Sequence, residues 1–256
     1  MIGRVDSFET QAVVVRVVDY GEADRILTLL TRNHGKLGVI ARGARRSRRR
    51  FGPSLGLFAV GAATVRERRG AELALLTGWA PLSDPQGLAS DVARMAHAGY
   101  VCEAARELSA ARHADPEVFD LVVETLGVLA AADRPARAET LRIFEIRLLD
   151  ALGFGPVLDR CVACGATELP GGPYVFDLGS GGIVCGHCHG VGPELPEAAR
   201  RALLEARTLT PAGGAALVLD ANINAACREA LGAAILHHLG RPLRSLEFIA
   251  KVRKTP

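Results

Sequence analysis

Glu9-Thr-Gln-Ala-Val-Val-Val-Arg-Val-Val-Asp-Tyr-Gly-Glu-Ala-Asp-Arg-Ile-Leu-Thr-Leu-Leu-Thr31 is the stretch on which the fold class turns. Its first half is a β-branched run and its second half is again rich in Ile, Leu and Thr, while Asp19-Tyr-Gly-Glu22 between them has turn composition. A strand, a turn and a second strand therefore stand at the head of the chain. The same punctuation continues outward to about residue 82, with turns at Asn33-His-Gly35 and Arg68-Arg-Gly70. Five strands are predicted: Thr10–Val18, Arg25–Thr31, Lys36–Ala41, Phe58–Glu67 and Ala71–Leu82. Five strands with one long connection between the third and fourth fit an OB-type barrel, a frequent platform for nucleic acid.

The charge is divided along the same line. Net charge is +3 overall, but residues 1–80 carry 14 Lys and Arg against 7 Asp and Glu, leaving the remainder acidic. Arg42, Arg45, Arg46, Arg48, Arg49 and Arg50 crowd into the long connection of the predicted barrel, with Lys36 before them and Arg66, Arg68 and Arg69 after. Arginines at this density with no interleaved acid repel one another, which points to a polyanion partner; a solvated charged loop is the alternative. Aromatic residues in this part are Phe8, Tyr20, Phe51, Phe58 and Trp79. Most are expected in the barrel core, and Phe51, which ends the arginine run, is the candidate for stacking on a base.

Beyond Pro81 the periodicity becomes helical, so the chain as a whole reads as α+β: a barrel over 1–82 and a helical domain over 83–256. Helices are predicted at Leu88–Ala110, Pro116–Ala131, Ala136–Leu152, Pro196–Glu205 and Ile223–Leu239, with Asp115-Pro116 as a helix start and Gly153 as a stop. Between the third and fourth of these, residues 157–193 carry Cys161-Val-Ala-Cys164 and Cys185-Gly-His-Cys188 around a Gly-rich hairpin. Two such knuckles assemble a tetrahedral S4 set, the donor set of structural Zn2+, and four thiolates leave no open position for catalysis. Gly165 and Gly182 are expected to supply positive-φ freedom, His187 and His189 to be bystanders, and Cys102 and Cys227 to be small core residues.

Other classes fit less well. The opening Met-Ile-Gly-Arg is not followed by an apolar leader and no apolar run is long enough to span a bilayer, so the expected setting is cytoplasmic and reducing, against disulfides. His34-Gly-Lys36 lacks the rest of a phosphate-binding loop, and the zinc-deaminase, Gly-x-Ser-x-Gly and His-Glu-x-x-His patterns are missing; no enzymatic activity is expected. An RNA- or ribosome-associated zinc-binding protein is the competing reading.

Several segments, in order and at matching spacing, resemble the RecO family of bacterial recombination mediators. They are Glu9–Arg16, Asp19–Thr31, Gly35–Arg45, Tyr100, Pro116–Leu126, Phe144–Gly153, Gly181–Cys185 and Leu243–Ile249. The resemblance covers nearly the full length. It implies an OB domain binding single- and double-stranded DNA, a helical domain, and a zinc module that some members keep. It also implies annealing of complementary strands, contact with the acidic C-terminal tail of single-stranded DNA-binding protein, and cooperation with RecR in loading RecA, in a nucleoid-associated setting. Carried onto this chain, the DNA contacts fall on the basic barrel residues named above and the metal ligands on the four knuckle cysteines. The tail contact is placed around Arg241, Arg244 and Phe248.

Overall fold

The computed structural model describes residues 7–47, 50–51, 55–67, 70–83, 86–89, 91–131, 137–169 and 171–254. The predicted Arg48, Arg49, Arg68 and Arg69 lie outside these residues. The chain divides into two compact units, Met1–Asp133 with Glu247–Pro256, and Arg134–Leu246. The change from strands to helices near Pro81 is thus a boundary of local structure, whereas packing divides the chain at residue 133, because the helices Val92–Leu108 and Pro116–Ala130 lie on the barrel.

The first unit holds strands β1 (Ser7–Tyr20), β2 (Asp24–Thr31), β3 (Gly35–Ala41), β4 (Val60–Arg66) and β5 (Ala74–Ser83), closed into a barrel in the order β1-β2-β3-β5-β4. All pairings are antiparallel except β3 with β5, which match Val39 to Ala74 and Ile40 to Leu75 in parallel. β1 makes closure possible. Its N-terminal half pairs with β4, its C-terminal half with β2, and a bulge between Val14 and Arg16 re-aims the strand where the partners change. Alternation is cleanest in β3, where Gly35, Leu37, Val39 and Ala41 face inward.

The barrel core is aliphatic, with Val14, Leu27, Leu29, Leu37, Val39, Val65 and Leu76 around Trp79 and Phe51. Phe51 has no exposed surface. It plugs the barrel under the long connection, so the expected base-stacking role does not fit this packing. Phe58 and Ala71, expected at strand ends, lie outside β4 and β5; Phe58 has φ +70°, a conformation no regular strand accommodates.

Helices α1 (Gln86–Ala89), α2 (Val92–Leu108) and α3 (Pro116–Ala130) follow. The single helix expected over Leu88–Ala110 is interrupted because Asp91 turns extended and accepts the N–H of Ala93, starting α2 afresh. Asp115 caps α3 with Pro116 in the first turn, as its sequence announces. The link between α2 and α3 returns to the barrel: Arg112 N–H bonds the Lys36 carbonyl, and Gly35, at φ +67°, faces the His113 backbone where a β-carbon would stand. Gly35→Ala adds a methyl that collides with that backbone in a left-handed conformation, so we expect a loss of roughly 2–3 kcal/mol in a denaturant titration.

The second unit is built from α4 (Ala138–Ala151), the cysteine module, α5 (Glu197–Thr208), a short 3-10 turn at Ala212–Ala215 and α6 (Ala221–Leu239), which Asp220 caps at one end and Gly240, φ +67°, at the other. α4, α5 and α6 pack on one another. Cys227 is buried in that packing and Cys102 in α2, as expected, and burial pushes the Cys102 thiol up to about 12. α7 (Ser245–Lys254) has no counterpart among the predicted helices. No helix is long and apolar enough to cross a membrane among the described residues.

Candidate nucleic-acid interface and metal centre

The cysteine module is organised by a small sheet, β6 (Tyr174–Asp177) between β7 (Gly182–Val184) and β8 (Glu194–Leu195). Asp177 holds its turns: one carboxylate oxygen accepts from Ser180 N at 2.7 Å and the other from Val191 N at 2.8 Å, and these N–H groups lower its pKa. The first knuckle is fixed by Cys161 N to Ala166 O and by Val162 N to Ile183 O, both 2.9 Å. Gly165 has the expected positive φ, +75°, but Gly182 does not; that conformation falls to Gly181, φ +71°. Gly182 is needed for space, since a β-carbon there would stand 2.5 Å from Val157 O.

The four Sγ atoms of Cys161, Cys164, Cys185 and Cys188 all lie within 4.8 Å of one another, with Cys164 and Cys185 3.9 Å apart. A tetrahedron of sulfurs at a Zn–S distance of about 2.3 Å has edges of roughly 3.8 Å, so the spacing suits that ion. Burial pushes the Cys161 thiol up, but the N–H groups of Cys185, Cys164 and Ala163 outweigh it and bring it down to about 6. Hydrogen bonds with Cys164 and Cys185 push Cys188 the other way, to about 12. Four thiolates at this spacing repel one another unless a cation neutralises them. His187 and His189 are exposed and outside the cluster.

α5 ties the module to the helices. Arg200 donates to Leu158 O at 2.8 Å, forks onto Glu197 at 2.7 and 2.9 Å, and lies over the Tyr174 ring. Its hydrogen bonds hold the Glu197 carboxyl down at about 2. A depressed carboxylate contributes stability that is present above its unfolded value, near 4.3, and is lost as pH falls through the folded one. We therefore expect Glu197→Gln to flatten the stability profile between about pH 4.5 and pH 2, read as melting temperature against pH.

The basic residues are not equivalent. Arg42, Arg45, Arg46 and Arg50 are exposed in the connection after β3, and Arg66 is exposed at the end of β4. The pairing of Arg66 with Leu75, and of Leu75 with Ile40, sets it two strands from β3, roughly 10 Å across the sheet. Lys36 is apart from this group: its Nζ donates to the Arg106 carbonyl at 2.5 Å, and burial lowers its pKa. Arg50 folds back, donating to Arg42 O at 3.3 Å with its guanidinium over Phe51.

Two participants escape a sequence reading. Arg25 donates to Leu55 O at 2.9 Å and to Asp19 at 3.2 Å, holding the far end of the connection, and Asp24 accepts Gly43 N at 2.8 Å. No local motif marks either. Arg241 and Arg244 lie between α6 and α7, and Phe248 on α7 is exposed.

Comparison with known proteins agrees with this architecture. The family model for the N-terminal part of recombination protein O matches residues 5–84, and the model for its C-terminal part matches residues 89–247. The chain is 44% identical over 251 residues to the DNA repair protein RecO of Anaeromyxobacter dehalogenans strain 2CP-C, covering 97% of this chain and 98% of the relative. It is 37% identical over 249 residues to the Myxococcus xanthus protein of that name, covering 97% and 99%. The Geobacter metallireducens protein is 35% identical over 258 residues, again covering 97% and 99%.

Proposed function

Because the chain belongs to the RecO family of DNA repair proteins, we propose that it binds single- and double-stranded DNA on its barrel, anneals complementary strands, and works with RecR to load RecA where single-stranded DNA-binding protein coats the DNA. The observation that carries this reading is the exposed group Arg42, Arg45, Arg46 and Arg50 on one connection of a closed five-stranded barrel.

With Phe51 and Trp79 committed to the core, the barrel has few aromatic surfaces for bases. Phosphate contacts then dominate, giving little sequence preference and a salt dependence of roughly 0.7–0.9 log units per decade for each phosphate neutralised. Backbone-led binding suits annealing. Cationic loops on two strands reduce their mutual repulsion and leave the base edges free to pair, so no bond is broken and no nucleotide is hydrolysed.

Cys161, Cys164, Cys185 and Cys188 fit a structural zinc ion, which when bound would cross-link the two knuckles. The residues around it hold that fold: Asp177 fixes the hairpin turns and Arg200 fastens the loop to α5. The contact with the acidic tail of single-stranded DNA-binding protein is assigned to the segment of Arg241, Arg244 and Phe248. A cytoplasmic, nucleoid-associated setting goes with this function.

Annealing of complementary oligonucleotides precoated with single-stranded DNA-binding protein, without nucleotide, tests the proposal. Acceleration that disappears when that protein lacks its acidic tail is the expected result. DNA binding with no acceleration would sink the mediator role and leave a nucleic-acid-binding zinc protein, with structured RNA as the next ligand to compare.

A further inference from the structure

The basic connection is not a free polycation. Its first turn is docked on the β1–β2 turn through the backbone, Gly43 N donating to Asp24 Oδ1 at 2.8 Å and Arg45 N to Ala23 O at 3.0 Å. That docking sets carboxylates beside the guanidiniums. Arg45 Nε is 3.8 Å from Asp19 Oδ2 and Arg46 Nη2 is 3.4 Å from Glu22 Oε2. The second pair is open to solvent, with side-chain exposures of 71% for Arg46 and 90% for Glu22. The described part of the connection thus sets Arg45 against Asp19 and Arg46 against Glu22, with Asp24 held by the Gly43 N–H.

A phosphodiester presents to a guanidinium the same charge and a similar pair of acceptor oxygens as a carboxylate. Arg45 and Arg46 must leave Asp19 and Glu22 to take a phosphate in full, and the Glu22 carboxylate, with Asp19 still on Arg25, then stays within a Debye length of the bound backbone and repels it. We propose that the Asp19–Asp24 turn is an intramolecular competitor for DNA phosphate at the arginine connection, which keeps the barrel's hold on a strand weak enough to be surrendered. This rests on the DNA-binding reading above and gives that site its means of release. An annealing protein needs such a means, since a strand bound only by unopposed arginines is retained after pairing. The backbone bond from Arg45 N to Ala23 O, with Asp24 held by Gly43 N, keeps the competitor in place when Asp19 and Glu22 are displaced, so it can recapture the guanidiniums as soon as a phosphate leaves.

Exposed pairs of this kind are individually weak, so removing both should tighten binding roughly three- to tenfold. It should also steepen the salt dependence by about one phosphate equivalent. The test uses the full-length protein and a labelled oligothymidylate, comparing wild type, Glu22→Gln and Asp19→Asn/Glu22→Gln. Glu117→Gln serves as control because it removes one exposed carboxylate from the first turn of α3. Dissociation constants over a salt series and dissociation rates under an unlabelled chase are the readouts.

The proposal expects tighter binding and slower dissociation in Glu22→Gln, more so in the double variant, with little change in the control. Glu22→Gln carries the test on its own, because its solvent-exposed side chain leaves the Asp19–Arg25 bond untouched. Dissociation rates equal to wild type, or a change no larger than the control's, would overturn the proposal even while wild type binds DNA well. If wild type itself does not bind the oligonucleotide, the DNA-binding reading falls and takes this inference with it.

Discussion

Cys161→Ser is expected to abolish metal retention and to lower the stability of the second unit by about 5 kcal/mol, a part of the roughly 10–16 kcal/mol that structural zinc contributes to small peptides. The loss is partial because α4, α5 and α6 pack on one another without the module. Cys161 is the cysteine of the cluster with most to lose. It has no exposed surface, its Sγ accepts the Cys185 N–H at 3.3 Å, and with Val184 and Cys185 it forms the module's small core. Cys164→Ala should give the same loss from the exposed side of the cluster. Elemental analysis for one zinc per chain and thermal unfolding with and without chelator are the measurements. An unchanged melting temperature in a zinc-free variant would show that the knuckles fold without metal. In variants that remain folded, DNA affinity should be close to wild type, because the exposed arginines belong to the other unit.

Replacing Arg45, Arg46, Arg48, Arg49 and Arg50 together by Ala should weaken DNA binding roughly a thousandfold near physiological salt, and reduce the slope of log affinity against log salt by about four. The two readouts must move together. A loss of affinity with an unchanged slope would mean that the substitutions disturbed the barrel and not its phosphate contacts. An unchanged affinity would remove the connection from the interface altogether. Arg25 is deliberately spared, since its bond to Leu55 O holds the connection in place, and so is Lys36, whose ammonium is already engaged by the carbonyl of Arg106.

Much of this architecture is legible in the order of residues because it depends on neighbours in the chain. The period-two pattern of Lys36–Ala41 and the Asp115-Pro116 helix start act within a few residues and are found where local chemistry puts them, while β1 runs on through the expected turn residues Asp19 and Tyr20 and leaves the turn to residues 21–23. The Cys-x-x-Cys spacing is equally local, since a knuckle is a property of one turn. The departures have separate causes. Asp91 capping Ala93 restarts α2 within two residues and shortens one helix, whereas Gly182 is held against Val157 across the module and the left-handed residue is its neighbour Gly181. α7 spans only ten residues, and its apolar positions Leu246, Ile249 and Val252 give a helical spacing too brief to announce it.

Periodicity and spacing by themselves determined the five-stranded barrel ahead of a helical part, the two cysteine knuckles and the concentration of arginine after β3, and the order of matching segments carried the family resemblance. Tertiary structure alone decided which of those charges are available. Lys36 is withdrawn to the end of α2, Phe51 is spent on the barrel core, and Asp19, Glu22 and Asp24, some twenty residues upstream, are set against Arg45, Arg46 and Gly43. The physical reason is range. Side-chain periodicity and turn chemistry act along the chain, while Coulomb attraction, desolvation and packing act through space, and the antiparallel β2–β3 pairing, with Arg25 opposite Ala41, brings an acidic turn to a basic loop that the linear order shows as unopposed.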